Sequence, residues 1–458
     1  MKKLLLIFRT VRHLKPVQVW NRVWRRRPWI NTGAGCGPAQ SKLPAFTFLN
    51  HTAVPQGWND PAQEKLWLYN LHYFEGCRDE ALVAQWIREN PRGWGNGWEP
   101  YPLSLRVVNW IKNGFGERHA ESIREQINWL LPRLEYHLLA NHLLANAKAL
   151  VFAGVALHEE KWLRLGLKIY ARELPEQVLD DGVHFERSAM YHCIILEDML
   201  DCAAISGEAL FRTYAALMLR GLALLTGPDG QIAKFNDATE GIAKTPAQLQ
   251  AQAAALGIVA ATSRAEGLRT SGYLRQAAGE WTLLAKCGDI GPDYQPGHAH
   301  ADTWSFELWR GARKMIGDVG CSTYVPGGIR SHERSTAAHN TVVIDGRDSS
   351  EVWASHRVGR RFDWASHQRR FELTAEGLRG VDELGGKGRH HVAVRFHLPP
   401  GVPREVVLID CPGTLTWEAC DFACGWNHRE KGLCAVFAQE IDLPAQICWQ
   451  VGIRKERT

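Results

Sequence analysis

Several signatures that would assign a common function are missing from the 458-residue sequence. It has no glycine fingerprint of a dinucleotide-binding fold and no phosphate-binding loop, which excludes the commonest nucleotide cofactors. It has no stretch of about 18 apolar residues, so we expect no membrane span. The eleven cysteines are odd in number and match no metal-finger spacing, so at least one thiol stays free.

The N-terminus and the overall charge also lack strong signals. The apolar run from Leu4 to Phe8 is shorter than the roughly 7–15 residues of a signal-peptide core, and no small-residue cleavage site follows it. The formal net charge of +5 would suit an anionic ligand, but no Lys/Arg run predicts a nucleic-acid-binding arm. We therefore expect no nucleic-acid partner, and the compartment stays open.

Tryptophan and histidine are abundant, with 19 residues of each. Flat apolar indole rings suit stacking on sugars, but tryptophan filling a large helical core explains the count equally well.

The two halves of the chain differ in hydrophobic periodicity. Apolar residues at three- and four-residue spacing predict helices over Glu121–Leu139, Leu143–Leu157, Trp162–Leu174, Tyr191–Ile205 and Ala209–Leu225. After about residue 270, strand-like runs follow at Thr303–Trp309, Arg313–Val319, His339–Ile344, Val392–Leu398, Val406–Ile409 and Ile447–Ile453. Because the chain is too long for one compact core, we predict two domains, a helical bundle, solenoid or toroid over residues 1–262 and an antiparallel β domain over 263–458.

Gly297-His298-Ala299-His300-Ala301-Asp302 is the most distinctive motif in the second half. On the lead-in to a strand, a period of two would place both imidazoles on one face. Asp318 and His339 lie on neighbouring predicted strands, and two histidines with one aspartate form a plausible ligand set for zinc. The alternative is that Asp318 caps a turn and that the histidines only pack and form hydrogen bonds.

Clusters of polar residues mark a candidate groove in the helical half. Asn141-His142 begins a helix, where Asn141 alone would be interpreted as an N-cap. Residues 181–192 are dense in Asp, His, Glu, Arg and Tyr, which is unusual for a helix entry that binds nothing. Further candidates lie in a glycine-rich loop and after Gly230: Trp98, Glu99, Tyr101, Arg106 and Asn236.

Taken in order, these motifs resemble the heparinase II/III-type polysaccharide lyases and the related alginate and oligo-alginate lyases. The resemblance rests on residues 67–74, 141–142, 182–192, 297–308 and 334–341. It implies an α+β multidomain protein with an incomplete N-terminal (α/α) toroid and a C-terminal antiparallel β-sandwich. It also implies β-elimination at a uronic acid of an acidic polysaccharide.

The resemblance also implies roles for particular residues. Asn141 with His142 would neutralise the uronate carboxylate, Tyr191 would be the catalytic acid with its role as base left open, and His298 would be the facing base or stabiliser. A tyrosine base needs its pKa lowered from about 10, to which the charge of Arg187 would contribute. Structural Zn²⁺ would be held by His300, Asp318 and His339. The predicted substrate-binding residues are Trp98, Glu99, Tyr101, Arg106, Glu186, Arg187, Asn236 and Arg334.

Two other functions stay open. One is a glycoside hydrolase on a helical toroid, using Glu99 with Asp181 or Glu186 as a carboxylate pair. The other is a non-catalytic polysaccharide-binding or assembly protein of a surface-polysaccharide pathway. The family favours the periplasm or cell envelope, while the missing leader leaves the cytoplasm open. The polysaccharide, endo or exo action and the oligomeric state are not determined by the sequence.

Overall fold

The computed structural model describes residues 2–23, 40–262, 270–353, 357–361 and 365–454. The helices lie mainly before residue 256 and are α1 (Lys2–Val11), α2 (Pro16–Val23), α3 (Lys65–Tyr73), α4 (Glu80–Glu89), α5 (Pro100–Lys112), α6 (Ala120–Leu130), α7 (Ala140–Ala156), α8 (Glu160–Gln177), α9 (Ala189–Ser206), α10 (Ala209–Leu225), α11 (Pro246–Ala255) and the short α12 (Gly328–Glu333). None of the described helices is long and apolar enough to cross a bilayer.

Two short strands lie near the N-terminus, and the others follow residue 272. They are β1 (Phe46–Phe48), β2 (His51–Ala53), β3 (Tyr273–Ala278), β4 (Trp281–Lys286), β5 (Phe306–Arg310), β6 (Arg313–Ile316), β7 (Val342–Ile344), β8 (Ser350–Trp353), β9 (Arg357–Arg361), β10 (Ser366–Thr374), β11 (Gly377–Leu398), β12 (Val407–Asp410), β13 (Thr414–Gly425) and β14 (His428–Ile453).

The predicted helices are present as α6 to α10, with one error in length. The helix predicted to reach Leu139 ends at Leu130, and a single 3₁₀ turn, Leu131–Arg133, follows it. Pro132 explains the early end, because its ring removes a backbone donor and clashes with the preceding helical turn.

The described chain divides into two compact units that are not continuous in sequence. Unit 1 contains Met1–Leu14, Val178–Leu196 and Ala216–Thr458, and unit 2 contains Lys15–Gln177 and Glu197–Ala215. The predicted boundary at 262/263 borders residues 263–269, which lie outside the described residues. The division into 1–262 and 263–458 therefore stays a prediction.

Two antiparallel sheets form the core of unit 1. One has the order β10-β11-β14-β12, with β7 added to β11 and β13 to β14, and the other has the order β3-β4-β5-β6. Phe306 of β5 stacks on Trp449 of β14 with ring centroids 5.4 Å apart. Apolar side chains of both sheets thus share one buried core, whose members include Leu283, Leu308, Val394, Phe396 and Val451.

The loop before α9 approaches α10 so closely that it requires glycine. Gly182 has φ +88°, and a Cβ there would lie 2.0 Å from the carbonyl oxygen of Leu217. A side chain would be both strained and sterically blocked at this position. Gly182 therefore fixes the path of the chain seven residues before α9 begins.

Candidate active site

Tyr191 is held in the first turn of α9 by a serine cap. Ser188 directly precedes the helix, and its Oγ accepts a hydrogen bond from the Tyr191 amide at 3.3 Å. The same Oγ donates to the main-chain carbonyl of Asp237. A serine at this position satisfies a helix N–H that would otherwise have no partner. The Tyr191 ring therefore projects from a fixed helix end rather than from a loose loop.

His298 lies flat against Tyr191, and Glu186 binds its inner nitrogen. The two ring centroids are 3.7 Å apart, with an interplanar angle of 16°. His298 Nδ1 donates to Glu186 Oε2, and both side chains are buried. A carboxylate on Nδ1 fixes the tautomer of a neutral imidazole, so that the lone pair is on Nε2. The arrangement is that of an oriented general base beside a phenol.

A second tyrosine contacts the hydroxyl of the first. Tyr191 Oη and Tyr324 Oη lie 2.9 Å apart. Burial, with the nearby negative charge of Asp237, raises the pKa of Tyr324 well above its usual value. Tyr324 therefore keeps its proton at neutral pH and can donate it to the hydroxyl of Tyr191.

Asp237 and Arg330 form a buried ion pair behind Tyr324. Arg330 Nη2 donates to Asp237 Oδ2 at 2.8 Å, and its Cζ lies 4.9 Å from the centre of the Tyr324 ring. Burial opposes ionisation of Asp237, but the Arg330 charge and a bond from His300 hold its pKa well below the usual range. The pair thus places a fixed positive charge next to the ring that touches Tyr191.

The two histidines of the Gly-His-Ala-His-Ala-Asp motif do not lie on a strand. Residues 297–302 form a turn and loop that ends four residues before β5. His298 contacts Glu186, whereas His300 Nε2 bonds Asp237 Oδ1 at 2.8 Å. The expected period-two placement is therefore wrong, because a turn directs the side chains to different partners.

The motif is held in place by Asn236, whose amide has hydrogen bonds on both sides. Its Nδ2 donates to the carbonyls of Glu186, Arg187 and Ile290 at 3.3, 2.9 and 3.1 Å. Its Oδ1 accepts from the amide of His300 at 3.0 Å and from Lys286 Nζ at 2.7 Å. Asn236 is fully buried with φ 58°. These bonds leave no polar atom for the predicted substrate contact, so Asn236 positions the loop.

The three predicted metal ligands lie close together in unit 1. His339 Nδ1 bonds Asp318 Oδ2 at 2.8 Å, and the His300 and His339 rings are 5.4 Å apart. Their other nitrogens, His300 Nδ1 and His339 Nε2, are buried without a hydrogen-bond partner in the described part of the chain. Burial lowers the pKa of His300 to about 4, which keeps it in the neutral form that ligates metals. Among the described residues, however, no three His, Cys, Asp or Glu side chains form a ready-made metal cage.

Asn141 and His142 lie in unit 2 at the start of α7. The helix begins at Ala140 with Leu139 as its N-cap, so the interpretation of Asn141 as an N-cap is wrong. Leu139 and Ala140 both have positive φ, 64° and 49°. Two adjacent non-glycine residues in this region indicate a strained entry, which is typical of functional sites. Asn141 Oδ1 is buried and has no hydrogen-bond partner among the described residues.

His142 is held by a buried glutamate and an aromatic ring. Its Nδ1 is 3.1 Å from Glu135 Oε1, and its ring lies 4.7 Å from that of Tyr101. Burial raises the pKa of Glu135, but His142 and Asn146 outweigh this and hold it below its ordinary value. Glu135 is therefore ionised at neutral pH and orients His142.

Two predicted substrate contacts of unit 2 are buried in an aromatic core. Trp98 is 2% exposed and donates its indole N–H to the carbonyl of Asn90. Arg106 is fully buried, with its guanidinium carbon 3.7 Å from the centre of the Trp86 ring. A polymer cannot reach side chains buried to this extent. Both predictions are therefore wrong, because Trp98 and Arg106 are part of the helical core.

The other candidates of the glycine-rich loop stay closer to the surface. The Glu99 carboxylate is partly exposed, accepts a hydrogen bond from the Tyr69 hydroxyl and forms an ion pair with Lys65 Nζ at 3.0 Å. Tyr101 is half-buried against His142. A substrate role for these two residues stays a prediction.

Two more predicted substrate-binding residues, Arg334 and Arg187, lie in unit 1. Arg334 is 1% exposed, and two of its nitrogens donate to the carbonyl of Ala299 at 3.1 and 2.9 Å. It therefore supports the histidine motif from behind. The Arg187 guanidinium is partly exposed, 3.9 Å from Asp289, and its role towards substrate stays a prediction.

Two of the carboxylates proposed for a hydrolase form hydrogen bonds with other residues of the protein. Asp181 Oδ2 accepts from the amide and hydroxyl of Ser271 at 2.9 and 2.6 Å, while Glu186 binds His298. Nothing in this arrangement favours a pair of carboxylates acting on one glycosidic bond.

Sequence reasoning did not single out Tyr324, Asp237 or Arg330 as site residues. Asp237 follows Asn236 in the sequence, which was a usable signal. Tyr324 lies in the irregular segment after β6 and Arg330 in the short helix α12, and only the tertiary fold brings them to Tyr191.

The fold and this cluster together define a class of α+β protein in which a buried tyrosine–histidine pair is supported by carboxylates. The family model "Heparinase II/III N-terminus" matches residues 109–247, and "Heparinase II/III-like, C-terminal" matches residues 260–365. The chain belongs to the heparinase II/III family, as its motifs predicted.

The relatives in sequence are distant. A heparin-sulfate lyase of Bacteroides thetaiotaomicron is 25% identical over 411 residues, covering 71% of this chain and 58% of that protein. The heparin-sulfate lyase of Pedobacter heparinus is 24% identical over 341 residues, covering 62% and 51%. The chain thus spans between half and three fifths of these relatives' length.

Solved structures extend the likeness in fold. A heparinase III structure superposes with a TM-score of 0.63 at 17% identity, over 87% of this chain and 81% of that one. The comparison confirms the predicted fold class, α+β with an N-terminal helical toroid followed by antiparallel β-sheets.

Proposed function

We propose that the chain is a polysaccharide lyase that cleaves an acidic, uronic-acid-containing polysaccharide by β-elimination. The observation that carries the proposal is the stack of Tyr191 on His298 with Glu186 on the far nitrogen of the imidazole. The heparin-sulfate lyases among its relatives support the same class of reaction.

β-Elimination requires three things of the enzyme. The proton at C5 of a uronate is weakly acidic, because its removal builds a second negative charge beside the carboxylate. The carboxylate must therefore be neutralised, the proton removed, and the leaving glycosidic oxygen protonated. Donors aimed at the developing charge contribute most where water is excluded. A positioned acid or base contributes about 10²–10⁴-fold.

The geometry of unit 1 supplies the acid–base part. His298, oriented by Glu186, takes the C5 proton at Nε2, and Tyr191 gives its phenolic proton to the leaving oxygen. Tyr324 then donates to the Tyr191 oxygen at 2.9 Å and stabilises the negative charge that this transfer leaves there. In the converse assignment the Tyr191 phenolate removes the C5 proton and then passes it to the leaving glycosidic oxygen, while the hydrogen bond from Tyr324 stabilises the phenolate before and after the transfer.

We assign carboxylate neutralisation to Asn141 and His142 of unit 2. The family resemblance supports this assignment, as does the strained backbone at Leu139 and Ala140 that precedes them. The test is specific, because Asn141→Ala should raise the barrier for a uronate substrate while leaving the Tyr191–His298 stack intact.

We also propose that His300, Asp318 and His339 hold a structural Zn²⁺. Two imidazoles and a carboxylate are a donor set typical of zinc. A metal would also give a partner to a buried histidine nitrogen, His300 Nδ1 or His339 Nε2, that has no hydrogen-bond partner among the described residues. The bond from His300 Nε2 to Asp237 is the outer carboxylate contact that usually orients a zinc-bound histidine. Bound there, zinc would cross-link the histidine motif to the segments after β6 and before β7.

The deciding experiment is a screen of uronic-acid polysaccharides in which the ultraviolet absorbance of an unsaturated uronate product is followed. The proposal expects such a product with the wild-type chain and its loss in Tyr191→Phe and His298→Ala. Polymer shortening without the absorbance change would identify a hydrolase. No processing of any uronate polymer by a folded protein would favour the non-catalytic alternative.

A further inference from the structure

Helix α1 carries a stripe of apolar side chains on its solvent side. Leu4, Phe8 and Val11 are 72, 65 and 48% exposed, and Leu5 and Ile7 extend the stripe. The spacing of four and then three residues places the first three on one helical face. The less exposed side of α1 includes Arg9, which bonds Glu351 of β8 at 2.5 Å. The helix is thus attached to the protein by its polar side and presents its apolar side outward.

Helix α2 shows the same inversion. Its buried residues are the polar Gln18 and Asn21, and Gln18 Nε2 donates to the carbonyl of Leu138. Val19 and Trp20 are 41 and 58% exposed, and Val23 is 57% exposed. A helix that faces water normally has the opposite arrangement. The exposed surface of α2 is therefore suited to an apolar medium.

The N-terminal segment of the sequence carries charge of one sign. Residues 1–59 contain ten Lys and Arg residues and no Asp or Glu, while the whole chain has a net charge of only +5. The remainder of the chain is consequently acidic on balance, which conceals the basic segment in the overall composition. Basic residues beside exposed Leu, Phe and Trp are the features of a helix that lies in the interface of an anionic membrane.

We propose that α1 docks the protein on the surface of an anionic lipid bilayer. Its apolar side chains enter the headgroup boundary while Arg12 contacts lipid phosphates. An acidic polysaccharide would match the charge alone and would leave Leu4, Phe8 and Val11 in water. A second copy would match the apolar stripes but would bring two strongly basic segments together.

The test is co-sedimentation of the full chain with vesicles of phosphatidylcholine mixed with phosphatidylglycerol, and with vesicles of phosphatidylcholine alone. Wild type should bind the mixed vesicles and be released by salt, because the charge interaction is screened. The double variant Leu4→Glu/Phe8→Glu should bind at least about tenfold more weakly, since two apolar anchors become charged. Arg12→Gln should weaken binding roughly fivefold, the effect of one basic residue near an anionic surface.

Val259→Glu is the matched control, because Val259 is 80% exposed in unit 1 outside these helices, and this variant should bind like wild type. All substituted side chains are exposed, so thermal unfolding should be unchanged. Failure of wild type to bind mixed vesicles would overturn the proposal, as would equal binding by all variants. The proposal would also be overturned if Leu4→Glu/Phe8→Glu still bound vesicles and a soluble acidic polysaccharide displaced it as it displaces wild type. It would be overturned as well if this variant converted an oligomer to monomers while its vesicle binding stayed equal to that of wild type.

Discussion

Replacing Glu186 by Gln tests the acid–base assignment most directly. The substitution keeps the shape of the side chain and removes the negative charge that accepts the His298 Nδ1 proton. Both partners are buried, with 2 and 8% of their surfaces exposed, so water cannot readily compensate for the lost negative charge. A hydrogen bond to a charged group is worth about 1.5–3 kcal/mol.

This energy should appear in kcat. Positive charge develops on the imidazole only as the substrate proton is transferred, so the carboxylate stabilises the transition state more than the bound substrate. At about 1.4 kcal/mol per factor of ten, Glu186→Gln should lower kcat roughly 10- to 150-fold. KM should change less than about twofold, because the interaction is made mainly in the transition state. The assay is the initial rate of unsaturated product formation over a range of polysaccharide concentrations.

Asp345→Asn provides a matched control. His390 Nδ1 lies 2.8 Å from Asp345 Oδ2 in the same unit, so this variant removes the same kind of carboxylate–histidine contact away from Tyr191. It should leave both kinetic constants unchanged. The reasoning would be refuted if Glu186→Gln, with normal thermal unfolding, retained kcat within about twofold of wild type or raised KM alone.

Three other outcomes are expected. Tyr324→Phe should lower kcat roughly 10-fold or more at unchanged KM, because the oxygen of Tyr191 loses its donor; an unchanged kcat would contradict this. Chelation should lower the melting temperature by about 1–2 °C for each kcal/mol of lost zinc binding, with metal analysis as the direct check. Stability should fall as pH decreases below about 6.5, because burial lowers the pKa of His184 to about 4 and of His192 to about 3. The unfolded chain then binds protons that the folded chain excludes, which costs up to about 1.4 kcal/mol of unfolding free energy per pH unit for each histidine. His192→Asn should therefore reduce the slope of unfolding free energy against pH by the equivalent of one proton, as measured by denaturant titrations at several pH values.

Local patterns predicted the helices well, because helical periodicity and end signals lie within one segment. The runs over Tyr191–Ile205 and Ala209–Leu225 are examples. The sheets were less predictable. β11 and β14 are 22 and 26 residues long, yet only their apolar ends at Val392–Leu398 and Ile447–Ile453 were predicted as strands. Their remaining length mixes buried residues with glycines and exposed charged residues, so backbone pairing as well as side-chain burial defines the strands there.

The site could be predicted to the level of motifs but not of contacts. Tyr191 and His298 were identified by motif, and the structure stacks them. The contact between His298 and Glu186 was not predicted. Glu186 was assigned to substrate, and only the fold brings it to the imidazole, which lies 112 residues further along the sequence. Burial, which excludes Trp98 and Arg106 from substrate contact, depends on packing that a single sequence does not display.

Asn236 has a consequence for the order in which the protein can acquire its site during synthesis. Its hydrogen bonds join residues 186–187, made some fifty residues earlier, to Lys286, Ile290 and His300, made about fifty to sixty residues later. A ribosome-bound chain that ends before His300 can form α9 but cannot hold the histidine motif against it. The growing polypeptide therefore contains Tyr191 on α9 well before it contains His298, and the two rings can stack only after most of unit 2 has left the ribosome.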